Sequence, residues 1–255
     1  MGITSATRFV VTCAARTGSS MFTSLLQSHP EICCHGEVFG WRVFEGFKGI
    51  NYNGPISEHR KPPIVDKLVQ LRLDDPVSFL RDFVLFAGEY KAVGLKFKYE
   101  ELSIEHFTAV RHWIRDNRDI KIVHLTRENL LKRYVSQVIA TKITKVFNTW
   151  QEVPPPTRIT LSPEECEREF AHTEQRQERY AKLFSKHDVL NLTYEELIAD
   201  RDVKLTQIQT FLGLEPTELR TGMKKINPDS LADLLENYDE LREHFVGTRF
   251  ELFFD

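Results

Sequence analysis

Between residues 13 and 22 the chain reads Cys-Ala-Ala-Arg-Thr-Gly-Ser-Ser-Met-Phe, directly after an apolar run, Phe9-Val10-Val11-Thr12. These residue types suit the holding of an anion. Gly18 permits the backbone conformation of a tight turn. Ser19 and Ser20 then open a helix, offering hydroxyls and free backbone N–H groups at the positive end of its dipole. Arg16 adds a fixed charge and planar donors that match oxyanions. The phosphate loop of nucleoside triphosphatases has the form GxxxxGK[ST]. Here its first glycine and its lysine are missing, and an arginine stands before the only glycine. With Arg16 supplying charge, a divalent cation is less needed. The same pattern also describes an ordinary capped turn from strand to helix.

Such a turn needs a sheet to carry it. Short apolar runs at 8–13, 92–97, 120–125 and 189–193 read as strands, and stretches at 19–27, 77–86, 104–117, 130–143 and 163–184 read as helices. Strands alternating with helices predict an α/β fold, a central mostly parallel sheet with helices on both faces. Continuous rather than alternating apolar strands agree with burial on both sides. In such sheets ligands bind beyond the carboxyl ends of the strands. Arg16, Lys96 and Arg127 all fall at or near those ends. Two segments, 46–63 and 147–163, read as irregular and long enough to be lids or substrate loops. No repeat or clear boundary divides the chain, so 1–255 is read as one domain.

Composition narrows the partners. Hydrophobic content of 41% and charged content of 28% fit a globular protein with a sizeable core. A net charge of −3 argues against nonspecific nucleic-acid binding, so an anionic ligand needs a local basic cluster. No apolar run approaches the roughly 18 residues of a membrane span, and no secretory signal opens the chain. The four cysteines form no CxxC pair, and Cys33-Cys34-His35 lacks the spacing of a zinc site; no metal is expected, and a reduced, cytoplasmic setting is.

The stretch ARTGSSMFTSLLQSHPEI resembles the 5′-phosphosulfate loop of sulfotransferases that use 3′-phosphoadenosine 5′-phosphosulfate (PAPS), in the form found in the bacterial trehalose sulfotransferases and the tyrosylprotein sulfotransferases. A second stretch, IVHLTRENLLKRYVSQVIA, resembles the family's strand-end arginine followed by a helical serine, here Arg127 and Ser136 nine residues later. LNLTYEELIADRDVKLTQIQTFLGL and NYDELREHFVGTRFELFF resemble the family's late strand, helix and tail. The resemblance implies a P-loop-containing sulfotransferase domain that moves a sulfuryl group from PAPS to an acceptor hydroxyl, on a carbohydrate first, with tyrosine, lipid or small alcohol as alternatives.

It also implies roles. Arg16, Thr17, Gly18, Ser19, Ser20 and Met21 wrap the 5′-phosphosulfate. Arg127 grips the 3′-phosphate with two donors, and the Ser136 hydroxyl orients it. Glu37 is the base for the acceptor, with His35 the competitor because its ordinary pKa suits proton transfer better. Arg16 stabilises the leaving phosphate, and Lys96 resembles a family lysine that assists as a cation or acid. Alternation puts Lys98 on the face of Lys96, but Lys98 is read as a strand-end side chain reaching solvent. Tyr194, Glu195 and Glu196 are read as the start of a helix, without a catalytic part. The runner-up is a phosphotransferase using ATP and magnesium. It lacks the expected lysine and leaves the Arg127/Ser136 pair unexplained, since ATP has no 3′-phosphate. A non-catalytic anion-binding module on the same fold is a further reading.

Overall fold

The computed structural model describes residues 6–152, 154, 156–228 and 230–254. Val153 and Pro155, within the irregular segment 147–163, lie outside them. The strands are β1 (Thr7–Cys13), β2 (Ile32–His35), β3 (Val43–Phe44), β4 (Gly54–Pro55), β5 (Ala92–Lys98), β6 (Lys121–Thr126) and β7 (Val189–Thr193). The helices are α1 (Ser19–Gln27), α2 (Pro63–Asp74), α3 (Pro76–Ser78), α4 (Tyr99–Leu102), α5 (Thr108–Asp116), α6 (Leu130–Val138), α7 (Pro163–Leu183), α8 (Tyr194–Ala199), α9 (Arg201–Phe211) and α10 (Tyr238–Phe245). They pack into two compact units, Met1–Thr126 with Arg179–Thr221, and Arg127–Glu178 with Gly222–Asp255.

The first unit holds a five-stranded sheet in the order β2-β5-β1-β6-β7, with every pairing parallel. Alternate residues of each strand feed opposite cores. Val10, Leu95, Phe97 and Ile122 join Phe39, Phe79, Phe107 and Ile114 on one side. Phe9, Val11, Cys13, Val123 and Leu125 join Phe22, Leu25, Leu26 and Ile208 on the other. Burying each such side chain contributes about 1.5–3 kcal/mol, which is why these strands carry few polar residues. The expected α/β sheet with both faces covered is therefore present. β1 lies at its centre with β5 and β6 on either side, so the turn after β1 opens where the chain's path across the sheet reverses.

Several boundaries differ from the sequence reading. Residues 32–35 form the edge strand β2, which is not among the strands read from the sequence. The predicted helix 77–86 is a short α-turn continuing as a π-helix, Phe79–Val84. The predicted helix 130–143 turns into a π-helix at Ile139–Thr144. There Thr141 Oγ1 donates to Gln137 O at 2.7 Å and Thr144 Oγ1 to Ile139 O at 3.4 Å, hydroxyls competing for helical carbonyls. Part of 46–63 is ordered too: β4 pairs antiparallel with β3, and Pro63 then opens α2.

The second unit has its own core, in which Leu131, Val135, Ile139, Phe170, Leu235 and Phe245 meet. Arg133, almost fully buried, pairs there with Glu169.

Candidate active site

The turn after β1 is closed from inside. Thr17 is fully buried, and its Oγ1 donates to Ala14 O at 3.0 Å. Arg16 and Gly18 both adopt left-handed backbone, with φ of 67° and 76°. Glycine does so freely, whereas for arginine it costs of the order of 1–2 kcal/mol, and such strain collects at binding turns. Gly18 is the N-cap of α1 and, being glycine, supplies no side-chain cap to its first turn. The first N–H groups of a helix are suited to an anion. Gly18 has a second constraint. The ring of Tyr194 lies against it, so that a Cβ at this position would stand 2.7 Å from Tyr194 Cε2.

Sheet register sets the next contact. Lys96 lies beside Val11 in the neighbouring strand and is itself 4% exposed. Its Nζ donates to Ser20 Oγ at 3.0 Å and pairs with Glu37 Oε1 at 2.7 Å. Two residues on, and so on the same face, Lys98 pairs with Glu37 Oε2. Lys98 thus does not reach for solvent as expected: its side chain is only 20% exposed and closes on Glu37. Behind it Glu101 accepts the Lys98 backbone N–H at 3.0 Å through Oε2 and sets Oε1 3.6 Å from Lys98 Nζ.

The charges in this cluster oppose their burial. Burial pushes the Glu37 carboxyl up, and Lys96 and Lys98 outweigh it, leaving its pKa lowered to about 2. Burial works against the charged form of Lys98, and Glu101 and Glu37 outweigh it in turn, so the ammonium is held more firmly than usual. Glu101, with no such surplus of cations, is raised by its burial against the pull of Lys98. At neutral pH Glu37 is therefore an ionised carboxylate between two ammonium groups.

Glu37 is placed by the backbone on both sides. Gly36, just after β2, donates its N–H to Gly46 O at 2.7 Å, and a Cβ on Gly46 would stand 2.6 Å from Gly36 Cα. Only two glycines allow so close a crossing. Beyond Glu37, the fully buried Arg72 of α2 donates through Nη1 to Val38 O at 2.7 Å and to Val43 O at 3.3 Å, tying down the following segment.

His35 sits differently from its rival. It ends β2, 3% exposed, with Nδ1 accepting the Lys48 N–H at 3.0 Å and Nε2 3.4 Å from Cys33 Sγ. Its ring tilts against Phe47 at 4.5 Å. Burial, helped by Lys48, lowers its pKa to about 4, so it is a neutral core histidine with both ring nitrogens engaged.

In the second unit, Arg127 follows β6 directly, and Asn129 caps α6 by accepting the Lys132 N–H at 2.8 Å. Ser136 lies on that helix, 7% exposed. Sequence reasoning missed Lys225, which lies near enough to Arg127 and Lys132 that both, after burial, lower its pKa. Among the described residues no group of His, Cys, Asp and Glu could hold a metal ion, and no helix is long and apolar enough to cross a membrane.

An anion turn wired by one lysine to an ionised carboxylate, at the centre of a parallel sheet, is the layout of a nucleotide-dependent group transferase of the P-loop type. The chain belongs to the sulfotransferase family, whose model matches residues 8–218 and so runs through both units. It is similar to nodulation protein H of Rhizobium tropici, 25% identical over 97% of this chain and 92% of that one. The corresponding protein of Rhizobium meliloti (strain 1021) is 23% identical over 97% and 94%. A sulfotransferase from Alicyclobacillus acidocaldarius shares the fold, with a TM-score of 0.52 and 19% identity over 97% of this chain and 95% of that one. The protein is thus a transferase whose sulfuryl donor is PAPS, leaving 3′-phosphoadenosine 5′-phosphate (PAP). Lys96, through its contact with Ser20, brings a positive charge to the start of α1.

Proposed function

We propose that the turn Arg16–Met21 holds the 5′-phosphosulfate of PAPS, that Arg127 and Ser136, with Lys225, hold its 3′-phosphate, and that Glu37 accepts the proton of the acceptor hydroxyl. The observation that carries this reading is Lys96, bonded at once to Ser20 of the turn and to Glu37. PAPS supplies the activated sulfuryl group. Lys96 and Arg16 offset the charge that gathers on the 5′-phosphate as the sulfuryl group leaves; removing one positioned donor of this kind costs roughly 10²–10³ in rate. A pKa near 2 makes Glu37 a weak base in the free protein. An anion in the turn shares the Lys96 charge and adds its own, and both effects raise the carboxylate's proton affinity. Base strength thus rises when the donor is bound. His35, neutral and engaged at both nitrogens, is better suited to fixing β2.

The acceptor we propose is a carbohydrate hydroxyl. Trp41 follows the turn in which Gly40 N–H donates to Glu37 O at 3.1 Å. Its ring is 48% exposed and is met by His106 at 5.6 Å and Phe107 at 6.1 Å, both edge-on in geometry. A fixed, open aromatic surface four residues after Glu37 is suited to the C–H face of a sugar. Four buried free thiols fit a reducing, cytoplasmic setting. Labelled PAPS offered with a panel of oligosaccharides, tyrosine peptides, lipids and small alcohols tests the acceptor class. Label is expected on an oligosaccharide; transfer to tyrosine or lipid alone would overturn it.

The turn itself yields a prediction. Gly18→Ala meets both the left-handed backbone and the Tyr194 ring. Calorimetry is expected to show PAP affinity reduced more than about tenfold, equivalent to about 1.4 kcal/mol. Unchanged affinity would show that the turn is not the binding element.

A further inference from the structure

The two carboxylate oxygens of Glu37 are held in different ways. Oε1 meets Lys96, whose Nζ also donates to Ser20 in the first turn of α1. Oε2 meets Lys98. Lys98 in turn has a second acid behind it. Glu101 Oε1 stands 3.6 Å from its Nζ, and Glu101 Oε2 accepts its backbone N–H at 3.0 Å. The spacing accounts for the backbone contact: Lys98 is the N-cap of α4 and Glu101 its third residue, the position from which a glutamate reaches back to the cap. Tyr99, which follows Lys98 and is fully buried, shares a hydrogen bond between its hydroxyl and His124 Nε2, pinning α4 to β6. Lys98 is therefore tied to α4 at backbone and side chain, whereas Lys96 is shared with the anion turn.

We propose that Lys98, backed by Glu101, is the positioning residue that fixes Glu37 through Oε2, so that Oε1 is the oxygen that takes the acceptor's proton. This deepens the reading of Glu37 as base and rests on it. An anion in the turn competes for Lys96 and loosens its hold on Oε1, while Lys98 keeps Oε2 in place. A carboxylate held at one oxygen keeps its direction while the other is free to react. Misplacing a reacting group by about 1 Å can cost about 10²-fold in rate. During transfer the acceptor oxygen forms its bond to sulfur while the bond from sulfur to the bridging phosphate oxygen breaks, its electron pair staying on that oxygen. The acceptor's proton passes to Glu37 Oε1 and from there to water.

Lys98 also sets the charge of the base. Lys96 and Lys98 are the two cations that lower the Glu37 carboxyl against its burial. Glu100 and Glu101 of α4, and Glu45 beside Gly46, are the other acids around the cluster, and the charge of Glu101 also reaches Arg72 of α2. Taking away one of the two cations raises the proton affinity of Glu37. The carboxylate then protonates at a higher pH, and activity is lost there as pH falls.

The test compares Lys98→Met, Lys98→Arg and Glu37→Gln by kcat and by kcat/KM against pH, with PAP affinity and melting temperature measured in parallel. Lys98→Met is expected to lower kcat by about ten- to a hundredfold, the cost of a loosened reacting group, and to move the acid limb of kcat/KM to higher pH. PAP affinity should hold within a few fold, because the proposed grip is on Glu37. Lys98→Arg, which keeps the charge and the donors, should return the limb and part of the rate. Lys98→Met leaves buried Glu101 without the ammonium that faces it, so Lys98→Met/Glu101→Gln is made as well; it removes the orphaned acid and should show the same kcat loss and limb shift in a stably folded protein. Wild-type kcat with an unmoved limb in these variants, beside an inactive Glu37→Gln, would overturn this inference alone. A lost rate that Lys98→Arg does not relieve, with an unmoved limb, would assign Lys98 a structural part and overturn it too. An active Glu37→Gln would remove the reading of Glu37 and this inference with it.

Discussion

Replacing Glu37 by glutamine is expected to lower turnover by roughly 10²–10⁴, the usual contribution of a general base, with PAP affinity within a few fold of wild type. The substitution is nearly isosteric. The amide can still accept a hydrogen bond from Lys96 or Lys98, but it cannot take a proton from a hydroxyl. It also releases positive charge: the two ammonium groups that Glu37 neutralises lie beside the phosphate turn, one of them bonded to Ser20. An anionic ligand should then bind as well as before or slightly better. That combination separates a lost base from a collapsed site, because breaking a buried ion pair can cost about 3–5 kcal/mol and a disturbed turn would lose PAP as well. Turnover within tenfold of wild type would show that Glu37 is not the base.

How far the sequence foretells this site depends on how local each signal is. The turn is legible because its requirements are local: Arg16, Gly18 and the serines follow one strand and open one helix, and the structure gives α1 the predicted bounds, Ser19–Gln27. Of the four longer strands, β1, β5 and β6 are legible because each is a continuous apolar run buried on both faces, and β7 because apolar Leu190 and Leu192 alternate with the exposed Asn191. β2 is not, since Ile32–His35 is four residues long and shows no alternation. With it went the setting of His35, which becomes a buried side chain only when β2 joins β5. Lys98 was half legible. Alternation placed it with Lys96, but its partner lies 61 residues earlier in the chain, beyond the reach of any pattern. Tyr194 and Arg72 act through contacts of the same long range, one across Gly18 and the other on the carbonyls after Glu37. Glycine pairs are a signal that was available: Gly36 and Gly46 bracket the segment that Glu37 opens, although only the structure shows that the two glycines touch.

In the proposed reading Arg127 and Ser136 are the residues that would distinguish PAPS from other adenine nucleotides, since ATP and AMP have no 3′-phosphate. Both residues, with Lys132 and Lys225, belong to the second unit, whereas the turn Arg16–Met21 belongs to the first. The roles are separable by ligand. A charge-assisted hydrogen bond is worth about 1.5–3 kcal/mol, so Arg127→Ala should weaken PAP by about ten- to a hundredfold. It should leave AMP almost untouched. Arg16→Ala, acting at the 5′ end that both ligands share, should weaken PAP and AMP by similar factors. Mutation on one axis and removal of one phosphate on the other make a thermodynamic cycle. Calorimetry of PAP and AMP binding to the wild type, Arg127→Ala and Arg16→Ala, without magnesium, is therefore the most direct measurement of the account. The predicted result is a large coupling between Arg127 and the 3′-phosphate and none between Arg16 and that group. Equal losses for PAP and AMP in Arg127→Ala would contradict it.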